Sequence, residues 1–127
     1  MFFRTVRTYV MLVIEVLAKY RKMIISDEIR EKDGEAAGDA YACEKAAEIV
    51  NNTLKRTGTN IIVEGADNIP KDRNFVLIAN HQSMLDIFAI VSTLNRPIGF
   101  IAKAELKKVP VLRKWMTSIG CVFMDRK

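Results

Sequence analysis

Asn74-Phe75-Val76-Leu77-Ile78-Ala79-Asn80-His81-Gln82-Ser83-Met84-Leu85-Asp86 is the stretch around which the rest of the chain is arranged. Its five consecutive apolar residues, Phe75 to Ala79, predict a short buried strand. A polar cluster ends the run, and Met84, Leu85, Ile87, Phe88, Ile90 and Val91 then recur at helical spacing. The one histidine of the chain therefore stands where a strand gives way to a helix. In α/β sheets, ligands and chemistry collect at the carboxyl ends of strands.

His81 and Asp86 are five residues apart, roughly 140° around a common helix at about 100° per residue, so on one helix they point away from each other. They meet only if His81 is still in the turn and Asp86 is in the first helical turn. Ser83 is a good N-cap, which puts Asp86 at the third helical position, where its carboxylate reaches back toward the turn and complements the helix dipole. Two readings share this spacing. In one, Ser83 and Asp86 form a capping box and His81 is a loop residue. In the other, Asp86 holds the His81 imidazole so that a ring nitrogen accepts a proton.

The 127 residues make room for one domain, and a 50% apolar fraction suffices for a core. Cys43 and Cys121 lie far apart in sequence and form neither a disulfide framework nor, with one histidine, a metal pattern. No metal is therefore expected, and a reducing compartment is compatible with the cysteine usage. The net charge of +5 is unevenly spread. Residues 1–25 carry five basic and one acidic side chain, residues 26–95 seven and twelve, and residues 96–127 eight and two. Basic ends on an acidic middle suit contact with an anionic surface or phosphates. No nucleic-acid module or basic-aromatic surface accompanies them, so nucleic acid is not an expected partner.

From Phe2 to Met23 the chain predicts a helix with Phe3, Val6, Val10, Val13 and Leu17 on one face. Its longest apolar run, Tyr9 to Ile14, is interrupted by Glu15 and falls short of the roughly 20 residues that a membrane span needs. Basic flanks (Arg4 and Arg7 before, Lys19, Arg21 and Lys22 after) suit a helix lying among lipid headgroups; an ordinary packing helix is the alternative. Ser26 to Gly34 reads as a charged connector. A second helix follows from about Glu35 to Arg56, with Ala36, Ala40, Cys43, Ala47, Val50 and Leu54 as its stripe and Gly58 as its cap. The two helices are expected to form a hairpin over residues 1–57.

Residues 58–127 then alternate strands with helices: strands at Asn60 to Glu64, Phe75 to Ala79, Ile98 to Ala102 and Cys121 to Met124, and a short helix begun by Pro110 and stopped by Gly120. The fold class expected is α/β, a membrane-associating helical hairpin followed by a partial, mostly parallel or mixed sheet with covering helices. Lys103, Lys107, Lys108, Arg113 and Lys114 surround a strand-to-helix connection and by themselves read first as a solvated basic face. Arg126, beside Asp125 at a strand end, has the geometry for a bidentate phosphate contact.

Asn80-His81-Gln82-Ser83-Met84-Leu85-Asp86 resembles the first motif, Asn-His-x-x-x-x-Asp, of the glycerolipid acyltransferases, and looks most like the bacterial 1-acylglycerol-3-phosphate acyltransferases. Gly120-x-x-Phe123-Met124-Asp125-Arg126 is similar to the second block of that family. Lys103-x-Glu105-Leu106 and Glu64-Gly65-Ala66-Asp67-Asn68-Ile69-Pro70 match its surrounding sequence, so the resemblance covers roughly residues 59–127. The family's Glu-Gly-Thr-Arg block and later proline-containing block are absent, and the chain is expected to be the N-terminal portion of a longer enzyme, with a short homologue missing half its site as the alternative.

The resemblance implies acyl transfer from acyl-CoA or acyl carrier protein to the sn-2 hydroxyl of 1-acylglycerol 3-phosphate (lysophosphatidic acid), giving phosphatidic acid. His81 would be the general base and Asp86 its orienting partner, with Arg126 and Lys103 on the acceptor phosphate. It implies no cofactor beyond the donor, and a peripheral or monotopic position on the cytoplasmic face of the cell membrane. The alternatives are a non-catalytic membrane-surface module or transfer to another lysophospholipid. A lipid hydrolase is disfavoured because no Gly-x-Ser-x-Gly elbow exists.

Overall fold

The computed structural model describes residues 2–94 and 96–125. Its described residues are mostly helical, with five α-helices and one small parallel sheet. Helices α1 (Phe2–Ala18) and α2 (Tyr20–Asp33) follow one another with only Lys19 between them, and α3 (Glu35–Thr57) folds back along both. The antiparallel arrangement is fixed by side chains: Arg7 donates to the Thr57 carbonyl at 2.7 Å, Lys19 pairs with Glu48 at 3.0 Å, and Arg30 pairs with Asp39 at 2.7 Å. The hairpin expected from the sequence is present, but one arm is built from two helices.

The connector expected at Ser26 to Gly34 is instead the second half of α2 as far as Asp33. The segment is polar, yet Glu, Arg and Lys are good helix formers. Ser26 is fully buried and satisfies its hydroxyl on the Met23 carbonyl at 2.6 Å, while Arg30 pairs with Asp27 one turn back at 2.9 Å. Gly38, in the buried face of α3, lets the two helices approach. A Cβ there would stand 2.6 Å from the Arg30 Cβ and 2.8 Å from the Ser26 carbonyl oxygen. Gly38→Ala gains up to about 1 kcal/mol of helix propensity, but overpacking against backbone costs about 1–3 kcal/mol. A lower urea midpoint with unchanged slope is expected; a raised midpoint would show that the helices separate freely.

α1 is turned inside out. Thr8, Leu12, Glu15 and Val16 form its covered side, whereas the stripe of Phe3, Val6, Val10, Val13 and Leu17 is exposed. Phe3 is 84% and Leu17 58% accessible, against 5% for Glu15. Glu15 is accommodated by Lys19 at 3.0 Å, Arg56 at 3.1 Å and Asn52 at 3.2 Å. The hydrogen bond from Lys19 leads in holding its carboxyl below the usual range, against the opposing effect of burial. No helix among the described residues is long and apolar enough to cross a membrane.

Two apolar clusters join the hairpin to the rest. Met23, Ile49 and Trp115 make one, Val50, Leu54 and Phe88 the other, and Leu12 touches both. Ala36 and Ala40, expected in the stripe of α3, are exposed; Ala42, Ile49, Thr53 and Thr57 are buried in that helix instead. Gly58 caps it as expected, in the left-handed region at φ 67°.

Helix α4 (Met84–Leu94) and helix α5 (Pro110–Ser118) pack on α3, and β1 (Ile101–Lys103) pairs in parallel with β2 (Val122–Met124). The strands expected at Asn60 to Glu64 and Phe75 to Ala79 do not form. Both segments lack ladder partners among the described residues, and a strand exists only through its neighbours. Phe75 to Ala79 is therefore not buried: Val76 is 87% and Ile78 91% exposed. The strand expected at Ile98 to Ala102 is instead β1, Ile101–Lys103, and just before it Gly99 passes so close to the Gly120 carbonyl that no Cβ fits between them.

Candidate active site

The amino end of α4 is built by local chemistry. Ser83 precedes the helix, and its Oγ accepts the Leu85 N–H at 3.1 Å. Asp86 reaches back, and its Oδ2 accepts the N–H groups of Ser83 at 2.8 Å and Gln82 at 2.6 Å. The same oxygen faces His81 Nδ1 at 3.4 Å. The capping box and an approach of Asp86 to His81 are thus geometrically compatible, since one carboxylate oxygen takes part in both. Phe88, buried in the second cluster, ties the helix to α3 and so fixes the scaffold beneath the pair.

The Asp86 carboxyl lies below its usual range chiefly through the Ser83 N–H, then through the Gln82 N–H, with the charge of His81 adding to them. A carboxyl depressed in the folded state stabilises above its unfolded pKa, and that stabilisation is lost as pH falls through the folded value. The cap therefore stays intact across neutral pH and fails in acid. With Nδ1 facing Asp86, the other ring nitrogen, Nε2, is the one left to accept a proton. The 3.4 Å separation is longer than a strong hydrogen bond, as in many unliganded sites, and His81 is 58% accessible.

Asp86→Asn separates capping from any orienting role toward His81. Its amide oxygen still accepts the two backbone N–H groups, but it cannot offset a positive imidazolium. Any proton transfer through His81 is expected to fall about tenfold or more while the unfolding midpoint moves little. Matched losses of stability and rate would reduce Asp86 to a cap.

Asn80 precedes the dyad in the exposed extended segment. Lys103 ends β1 and is paired in register with Met124, the residue before exposed Asp125. No contact joins Lys103 to His81 or Asp86 among the described residues. Arg126, expected on the acceptor phosphate, lies outside the described residues. Gly120 ends α5 at φ 77°, and Phe123 is half-buried with the Lys107 ammonium 5.1 Å from its ring centre. Lys107 was legible only as part of a basic run, because a cation–π contact across a turn leaves no periodic mark. The backbone N–H groups after His81, natural donors to an oxyanion, are partly committed: Gln82 and Ser83 serve Asp86, and Leu85 serves Ser83. Among the described residues no group of three or more His, Cys, Asp or Glu side chains converges as a metal site would require.

A family model described as Acyltransferase matches residues 60–127, which include the dyad, α4 and both strands. A protein of Mycoplasma pneumoniae named as a probable 1-acyl-sn-glycerol-3-phosphate acyltransferase is 33% identical over 121 residues, covering 88% of this chain and 45% of its own length. The 1-acyl-sn-glycerol-3-phosphate acyltransferase of Neisseria gonorrhoeae is 48% identical over 58 residues, 45% of this chain and 22% of its own. That of Saccharomyces cerevisiae is 39% identical over 69 residues, 54% of this chain and 22% of its own. The chain spans less than half the length of these curated relatives. No solved structure matches it. With the model covering more than half of its residues, dyad included, the chain belongs to the acyltransferase family.

Proposed function

We propose that this chain supplies the general base of an acyl transfer to lysophosphatidate, as the names of its relatives suggest. The observation that carries the reading is the His81–Asp86 contact at 3.4 Å with Asp86 fixed by two backbone N–H groups. In the reaction, the sn-2 hydroxyl oxygen attacks the thioester carbonyl of acyl-CoA or acyl carrier protein while His81 Nε2 takes its proton. The tetrahedral intermediate collapses to phosphatidate, the carbon–sulfur bond breaks, and the departing thiolate takes the proton back from the imidazolium. Asp86 stabilises that imidazolium in between. Lys103 and Arg126 hold the acceptor phosphate, one as a point charge and the other as a fork. No step calls for a metal or a cofactor beyond the donor.

The setting is the cytoplasmic face of the cell membrane, with the chain lying on an anionic surface. The exposed apolar side of α1 supports this, because its covered side is polar at Thr8 and Glu15. Arg21 and Lys22, both exposed just beyond α1, are placed to meet lipid phosphates.

The test is transfer of labelled acyl groups from each donor to 1-acylglycerol 3-phosphate by a polypeptide carrying this sequence. Labelled phosphatidate is the expected product. Absence of transfer with both donors would leave a non-catalytic membrane-surface module, and preference for another lysophospholipid would replace the acceptor.

A further inference from the structure

A 3₁₀ turn (Ala104–Lys108) meets α5 at a corner whose sequence, Lys107-Lys108-Val109-Pro110-Val111-Leu112-Arg113-Lys114, sets four apolar residues between two basic pairs. Val109 at the joint is 50% accessible and Pro110 is exposed, as are Lys108 and Arg113 on either side. The corner is closed by its own backbone. The Val109 N–H donates to the Leu106 carbonyl at 3.3 Å, the Val109 carbonyl accepts the Arg113 N–H at 2.8 Å, and Pro110 has no N–H to satisfy. An apolar tip whose backbone polar groups are already paired leaves water without the cost of an unbonded amide. Val111, the next residue, packs on the apolar cluster that also takes Leu12 and Val16 of α1, so the corner is fastened to the same core as the amino-terminal helix.

The charge around the tip is one-sided. Among the described residues no carboxylate is paired with Lys107, Lys108 or Arg113, while Lys114 is paired with Asp27. The five basic residues from Lys103 to Lys114 stand against Glu105, Asp125 and that Asp27, which leaves an excess of two positive charges. We propose that this corner is a second contact with an anionic bilayer, with Val109 and Pro110 in the headgroup region and Lys108 and Arg113 on lipid phosphates. The proposal rests on the reading that the chain lies on such a surface, but on residues other than those of α1. A solvated basic face accounts for the cations and not for an apolar tip braced between them. A bilayer takes both, since its phosphates lie just outside the acyl boundary that apolar side chains reach. An acidic protein would match the charge while setting Val109 and Pro110 against polar groups.

Co-sedimentation of the intact chain with vesicles of mixed phosphatidylglycerol and phosphatidylcholine provides the test. Lys108→Gln combined with Arg113→Gln is expected to weaken binding about twentyfold, at roughly fivefold for each cation near the surface. Lys32→Gln combined with Lys71→Gln removes the same charge from exposed positions outside the corner, and no more than about a twofold change is expected. Val109→Gln is expected to weaken binding about fivefold and to keep that effect in about 1 M salt, where charges are screened within about 3 Å. All these side chains are exposed, and the glutamine pair keeps the result readable if Val109→Gln fails to fold. A parent that does not sediment with anionic vesicles would remove the surface reading and the corner together. A parent that sediments, with both corner variants matching it, would remove the corner alone. Equal losses in the corner pair and the control pair would reduce the corner to net charge and overturn the proposal. Corner variants that bind vesicles as the parent does but lose binding to an acidic protein, with acyl carrier protein as the probe, would also overturn it and assign the corner to that class.

Discussion

Replacing His81 by alanine is expected to lower acyl transfer by about 10²–10⁴-fold in any active polypeptide that carries this sequence. Imidazole is the side chain suited to taking and returning a proton near neutral pH, and this chain has one. The loss should be confined to chemistry. His81 is exposed, and its ring faces Asp86, whose bonds to Gln82 and Ser83 survive the substitution. Unfolding midpoint and vesicle binding should therefore match the parent, because α1 and the core clusters do not involve the imidazole. Retention of more than about a tenth of the parent rate, a loss of only one factor of ten in barrier terms, would remove His81 from the role of base.

The second large effect is expected at the outer side of α1. Val13→Glu combined with Leu17→Glu should release the chain from anionic vesicles, lowering the partition coefficient by about a hundredfold. Burying each of these side chains fully is worth about 1.5–3 kcal/mol, and tenfold corresponds to 1.4 kcal/mol. Both are exposed in the folded chain, so the substitutions should cost little stability. Raised salt should weaken the parent through the exposed Arg21 and Lys22, with screening over about 8 Å at physiological ionic strength. Deleting residues 1–25 is a poorer experiment, because it also removes Leu12, Val16 and Met23 from the first apolar cluster. Undiminished sedimentation of the doubly substituted chain with vesicles would place the anchor elsewhere.

What was readable in advance was local. Ser83, Asp86 and the periodicity after them specify the start of α4 within a few residues, and the structure follows that reading down to the hydrogen bonds. Gly58 at the end of α3 and Pro110 at the start of α5 were equally plain. The apolar stripe of α1 was visible, but its direction was not. Periodicity identifies a face without saying what covers it, and Glu15 and Lys19 find partners in Glu48, Asn52 and Arg56, more than 25 residues away. The polar half of α2 read as a connector because its stability comes from pairs such as Arg30–Asp39 between helices. Apolar β-branched composition at Ile61 to Val63 and Val76 to Ile78 announced strands, whereas a ladder depends on backbone partners that composition does not encode. Lys103 was read with Arg126 as a phosphate pair; its register opposite Met124 is described, and Arg126 is not.

The unpaired run from Phe75 to Ala79 has a consequence for how the histidine keeps its place. Its amides, lacking a ladder, should take up deuterium nearly as fast as those of a free peptide, while the amides of α3 between Ile49 and Leu54 wait for larger openings. His81 lies at the border between a segment without ladder bonds and the first turn of α4. The imidazole is thus moored from one side only, by the first turn of α4. A brief fraying of that single turn would disconnect Asp86 from Gln82, Ser83 and His81 together, and so leave the imidazole without its carboxylate while the core stays closed.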